Sequence, residues 1–108
     1  MSEAIIVLTT VEALQNGENI AQLLIEKELA ACVQILPPMT SIYRWQGKIE
    51  KAIEHLLLIK TRRELYPSIE SEIRFNHPYQ TPEIIVLSIE DGSKDYLSWL
   101  NEATKKQF

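Results

Sequence analysis

The chain has 108 residues, 45% of them apolar, and its 11 lysines and arginines against 15 aspartates and glutamates leave a net charge of -4. That length suits one domain, 1-108, and buries only about 65% of the unfolded surface, so assembly with further copies would add stability. The acidic balance argues against nucleic acid as a partner, no apolar run approaches a membrane span, and MSEAIIVLTT lacks the basic region of a signal peptide.

Ala4 to Thr10 is an apolar, β-branched run and reads as a first strand. From Asn19 to Ala31 the apolar residues Ile20, Leu23, Leu24 and Ala31 fall near one helical stripe, with Asn16 or Asn19 as the cap. Cys32 to Thr61 reads as a long hairpin turning at Gln46-Gly47, which sets Trp45 opposite Lys48, Tyr43 opposite Glu50 and Ser41 opposite Ala52. Its far arm exceeds the usual ~5 to 6 residues of a strand, so part of it projects beyond the body of the domain. Pro37 and Pro38 cannot donate to a ladder and predict a bulge or an edge between the base of the hairpin and its tip.

Arg62 to Asn76 is predicted as the second helix, with Leu65, Ile69 and Ile73 spaced by four and Pro67 in the first turn. HPYQTPE follows, and then Ile84 to Ile89, an unbroken apolar strand expected to be buried on both faces. Asp91-Gly92 turns the chain, Ser93 caps, and Tyr96, Trp99 and Leu100 mark a short last helix. The order βαββαβ plus a terminal helix predicts an α+β, ferredoxin-like domain.

Candidate chemistry gathers in a few places. His77 and Tyr79 stand in a connector held between two prolines, where polar groups are often aimed into a cleft; a histidine just past a helix also serves simply to bond the last carbonyls. Cys32 is either a soft metal ligand or a buried thiol, and as the lone cysteine it excludes an intrachain disulfide. An unpaired thiol of this kind suits the cytoplasm. Glu54 and Lys60 share a face of the third strand, as a pocket rim or as an ion pair across a subunit junction. Tyr43 and Trp45 share a face of the projecting arm and need a cover, another copy of the chain or a ligand. No phosphate loop, nucleophile elbow or paired-histidine helix occurs, which argues against an enzyme and against an organic cofactor.

The segments EKELAACVQILP, SIYRWQGKIE, EHLLLIKT, NHPYQTPEIIVL and DYLSWL, in this order, resemble the CutA family of divalent-cation tolerance proteins across nearly the whole chain. The resemblance implies a ferredoxin-like homotrimer whose long hairpins pack on neighbouring subunits, linked to tolerance of copper and other divalent cations such as zinc. It places a polar and aromatic cluster on Cys32, Tyr43, Trp45, Glu54, Lys60, His77, Tyr79 and Glu83, around a cleft between subunits. The metal ligands it implies are His77, Cys32 and Glu54, with Tyr43, Trp45, Lys60, Tyr79 and Glu83 lining the cleft. Some members carry a cysteine and a second histidine where this chain has Thr9 and Asn76. Two alternatives are a signalling trimer that takes a small anionic metabolite through Lys60 and Tyr43, and a structural trimer whose polar cluster only satisfies the junction.

Overall fold

The computed structural model describes residues 3–105 as β1 (Ala4–Val11), α1 (Leu14–Glu26), β2 (Cys32–Ile35), β3 (Met39–Trp45), β4 (Lys48–Arg62), one 3-10 turn (Arg63–Leu65), α2 (Tyr66–Asn76), β5 (Ile85–Ser88) and α3 (Lys94–Glu102). The antiparallel sheet runs β2-β4-β1-β5, and β3 continues along β4 beyond β2. This is the ferredoxin-like arrangement, with β2 and β3 together forming one interrupted strand.

Odd-numbered residues of β1 and β4 point to one face, where Ile5, Val7, Val11, Leu57 and Ile59 are buried against Ile20 and Leu24 of α1 and Ile69 and Ile73 of α2. Each such side chain contributes roughly 1.5–3 kcal/mol by leaving water. Thr61 and Thr9 share this apolar face. Thr61 Oγ1 donates to Leu29 O at 2.6 Å, whereas Thr9 Oγ1 is buried with no hydrogen-bond partner among the described residues. The opposite face carries Ile6, Leu8, Leu56 and Leu58, all only partly covered. α3 sits at one end of that face, where Lys60 Nζ donates to the Tyr96 hydroxyl and Arg62 Nε donates to Thr104 Oγ1 at 2.7 Å. The buried Arg62 guanidinium also donates to Lys105 O and pairs with Glu64, which anchors the chain after α3.

The hairpin follows the expected register: Trp45 pairs Lys48, Tyr43 pairs Glu50 and Ser41 pairs Ala52. Gln46 and Gly47 both adopt positive φ, 51° and 82°, the two-residue turn whose twist matches the flanking strands. Ile35 pairs Leu57 while Met39 pairs Glu54, so four steps on one side match three on the other and the prolines lie in a bulge. His55 Nδ1 lies 2.8 Å from Leu36 O beside it.

Two expectations need correction. The first helix spans Leu14–Glu26 instead of 19–31, and its N-cap is Ala13 with no side-chain cap, so neither Asn16 nor Asn19 serves there. Gly17 lies inside it because a Cβ at that position would stand 3.1 Å from Val11 Cγ2 and 3.3 Å from Leu57 Cδ1; the helix presses on the sheet there. Glu28 ends it at φ 58°, with Glu28 N–H donating to Ile25 O and Leu29 N–H to Leu24 O, a Schellman closure without its usual glycine. The last strand is an edge strand on β1, and within one chain Ile85 and Leu87 are 47% and 49% exposed, because they point to the face that α3 covers only at one end.

Candidate functional site

At the end of the sheet where β1 finishes and the hairpin arm begins lies a cleft of about 570 Å³. The ladder between β1 and β4 closes with Val11 opposite His55, so Glu12 and Glu54 come next, beyond the last pair. Thr10, Glu12, Glu54 and Glu83 line the floor end of the cleft, with Tyr79, Gln80 and Thr81 from the connector. Ser41, Ile42, Tyr43 and Trp45 of β3 form the wall along the arm.

The connector is fixed by its own polar groups. His77 Nε2 donates to Thr10 O at 2.7 Å, and the Tyr79 backbone N–H donates to His77 Nδ1 at 3.1 Å. A carbonyl can only accept, so these two bonds select the neutral tautomer with its proton on Nε2 and engage both ring nitrogens. Burial is the larger influence on His77 and holds its pKa below the ordinary value, outweighing the Thr10 carbonyl and the charge of Glu54. The structural role of this histidine is thus to tie the connector to β1, not to cap α2. The His77 and Tyr79 rings lie 4.6 Å apart at 57°.

Tyr79 carries the connection onward: its hydroxyl donates to Glu54 Oε2 at 2.7 Å. Burial, that hydrogen bond and the charges of Glu54 and Glu12 push the Tyr79 hydroxyl well above its ordinary range, so it stays a donor. Glu54 is 7% exposed and forms no ion pair, and its second oxygen, Oε1, has no hydrogen-bond partner among the described residues. Partial burial, then the charge of Glu54, push the Glu83 carboxyl upward. Glu54 and Glu83 therefore bear on each other in one cleft, and among the described residues no ion pair is made by Glu12, Glu54 or Glu83.

Of the residues singled out in the sequence, Tyr43, Trp45, Glu54, Tyr79 and Glu83 line this cleft, and His77 buttresses it from behind. Cys32 and Lys60 do not join them. They pair across β2 and β4 at the other end of the same face, and Lys60 is six residues from Glu54, about 20 Å along a strand. Among the described residues, no group of three or more His, Cys, Asp or Glu stands close enough to hold a metal ion. Glu12, Thr10 and Ser41 were not anticipated; only the β1–β4 register would have placed Glu12 beside Glu54, and that register is set by tertiary pairing.

The family model described as "CutA1 divalent ion tolerance protein" matches residues 5–103. The Divalent-cation tolerance protein CutA of Thermus thermophilus is 46% identical over 99 residues, 92% of this chain and 96% of the relative. Among solved structures, CutA1 from Oryza sativa superimposes with a TM-score of 0.94 at 39% identity, covering 98% of this chain and 97% of that one. A structure described as the periplasmic divalent cation tolerance protein CutA from Archaeoglobus fulgidus gives 0.91 at 39% identity, over 94% of this chain and 99% of the other. With the family model matching nearly the whole chain and a curated relative 46% identical over 92% of it, the chain belongs to the CutA1 family of divalent ion tolerance proteins.

Proposed function

We propose that this protein is a single-domain homotrimer that binds divalent cations weakly at clefts between its subunits and thereby contributes to divalent-cation tolerance, with copper and zinc as the ions to test first. The observation that carries the reading is the pair Glu54 and Glu83: two carboxylates face one cleft, and the charge of the first adds to burial in raising the pKa of the second. A divalent ion relieves that repulsion. Few ligands and no preset geometry make the binding weak and unselective. His77 becomes a ligand only by releasing the Tyr79 N–H from Nδ1, and Cys32 can meet Glu54 at one ion only if they come from different subunits, given their separation within a chain.

Assembly is supported by the apolar surface one chain leaves open. Ile85 and Leu87 on the sheet, and Ile42, Ile49 and Ile53 on the arm at 58–70% exposure, are more than a small monomer normally presents. The cleft's carboxylates, hydroxyls and rings are suited to holding a cation, which favours a binding protein over an enzyme. Among the described residues no helix is long and apolar enough to cross a membrane; the cytoplasm is the compartment proposed, on the strength of the lone thiol.

The test is calorimetric titration of Cu²⁺ and Zn²⁺ into the wild-type protein and into Glu54→Gln and His77→Ala variants, beside light scattering for the assembly state. Loss of affinity in Glu54→Gln is expected. Equal affinity in all three proteins, or a monomer by scattering, would sink the reading.

A further inference from the structure

The dipeptide Asp91-Gly92, between β5 and α3, takes no part in the cleft. The chain is fixed before it at Ile89, whose N–H donates to Ala4 O at 3.0 Å, and after it at Ser93, whose carbonyl accepts from the Leu97 N–H at 3.0 Å. Between these anchors Glu90, Asp91 and Gly92 are exposed, and among the described residues none of their N–H groups donates to a backbone carbonyl. The Gly92 N–H lies on its neighbour's side chain, 2.8 Å from Asp91 Oδ1. That sets the Gly92 nitrogen beside the Asp91 carboxyl carbon, one bond further on, and glycine has no side chain to obstruct its approach.

The sequence holds two pairs able to close a succinimide ring readily, Asn16-Gly17 and Asp91-Gly92, and asparagine is intrinsically the faster. The fold reverses that order. Gly17 is buried inside α1 and its N–H donates to Ala13 O at 3.3 Å, so bringing its nitrogen onto the Asn16 side chain would break the helical ladder. Gly92 carries no such restraint among the described residues. We infer that Asp91-Gly92 is a site of spontaneous isoaspartate formation in the folded protein, and hence a substrate for a carboxyl methyltransferase of the isoaspartyl-recognising class. In ring closure the Gly92 nitrogen bonds to the Asp91 side-chain carboxyl carbon as that carbon loses its hydroxyl; the amide proton and the hydroxyl leave as water, and nothing is oxidised or reduced. Water then opens the ring at either carbonyl. One product is the original aspartyl bond, and the other runs the main chain through the Asp91 side chain and leaves a free α-carboxylate.

The isoaspartyl form has one more carbon in its main chain, about 1.5 Å of added length, placed directly before the cap of α3. Ser93 Oγ accepts from the Tyr96 N–H at 3.3 Å, and the Tyr96 hydroxyl accepts from Lys60 on the open face of the sheet. With Ile89 held by Ala4, the extra length displaces the Ser93 cap, so the modification acts on the helix that covers one end of that face. The inference stands apart from metal binding.

The experiment incubates the full chain, folded and in urea, for weeks at physiological temperature. Isoaspartate is then mapped by transfer of a labelled methyl group from S-adenosylmethionine with an isoaspartyl methyltransferase, followed by peptide mass analysis. Label is expected on the Asp91 peptide of the folded protein, and at least ten-fold less in Asp91→Glu, whose ring would need one more atom, and in Gly92→Ala. The alanine fits, because its Cβ would stand 3.5 Å from the Leu97 side chain, so a loss of label there is not a loss of fold. The chain in urea should label at Asn16 as well, after deamidation, and the folded chain should not. No label at Asp91 in the folded protein, full label in both variants, or a folded chain that labels first at Asn16 would each overturn the inference. Hydrogen exchange at the Tyr96 amide should be at least ten-fold faster in the separated isoaspartyl form, and equal exchange would overturn the effect on α3.

Discussion

Tyr79 Oη and Glu54 Oε2 stand 2.7 Å apart, joining the connector after α2 to the middle of β4. Twenty-five residues of chain separate them, and no other contact among the described residues gives Glu54 a hydrogen-bond donor. The Tyr79→Phe variant removes that donor and leaves a nearly buried carboxylate without one. A loss of roughly 1.5–3 kcal/mol is expected, the range for hydrogen bonds to charged groups. Urea denaturation of the two proteins at one protein concentration measures it; a difference below about 0.5 kcal/mol would mean that water serves Glu54 equally well.

His77 makes stability depend on pH. Its folded pKa lies below the ordinary 6.5, chiefly through burial. On acidification the unfolded chain therefore takes up the proton first, so stability is retained above that value and declines as pH falls from there toward the folded pKa. The ceiling is about 1.4 kcal/mol for each unit separating the two values. Protonation of Nδ1 also ejects the Tyr79 N–H. Denaturation midpoints at pH 7.5 and pH 5 should differ in the wild type and converge in His77→Gln; an equal slope in both would assign the dependence to other groups.

Thr9 carries a buried hydroxyl with no partner among the described residues, on the core face with Ile5, Val7 and Leu57. Valine has nearly the same shape and nothing to desolvate. Thr9→Val should stabilise the protein by about 1 kcal/mol, and a loss of stability would reveal a bonded water at the site.

Glu83 is held in the cleft against the influence of Glu54. A carboxylate whose pKa is raised on folding stabilises the fold when protonated and loses that contribution as pH rises through the folded value, so at neutral pH it opposes folding. Glu83→Gln should therefore raise the thermal midpoint at pH 7 while weakening Zn²⁺ binding. A variant that gains stability and keeps its affinity would remove Glu83 from the ligand set.

Much of the fold was legible because local chemistry decided it. Gln46-Gly47 left only one register for the hairpin, Pro37-Pro38 marked the interruption, and Ser93 does cap α3 by accepting from the Tyr96 N–H. The start of α1 was hidden because Ala13 carries no capping group, and because Gly17 is there to let the helix approach Val11 and Leu57 rather than to break it. The exposure of Ile85 and Leu87 was illegible for a different reason: an apolar run states that a strand will be covered, but not by which chain. The same limit applied to the cleft. Tyr79 and Glu83 were visible as polar groups in a stiff connector, whereas the convergence of Glu12 with Glu54 arises only where β1 pairs with β4. Cys32 and Lys60, equally visible, proved to be neighbours of each other at the far end.

The single extra residue at Leu36, Pro37 and Pro38 decides which side chains the base of the hairpin turns to the core. Along β2 the even positions stand opposite the even positions of β4, Gln34 with Leu58; beyond the prolines the odd ones do, Tyr43 with Glu50. The Gln46-Gly47 turn fixes the arm, with Tyr43 and Trp45 on the side of Glu54 and Ile42 and Arg44 on the other, and the insertion turns β2 over by one step of the pleat relative to it. A chain one residue shorter there would keep the arm's register and turn Val33 and Ile35 away from the core they now pack against. Two prolines that contribute no side-chain chemistry thereby let one interrupted strand keep its aliphatic base against the core and its aromatic residues on the cleft.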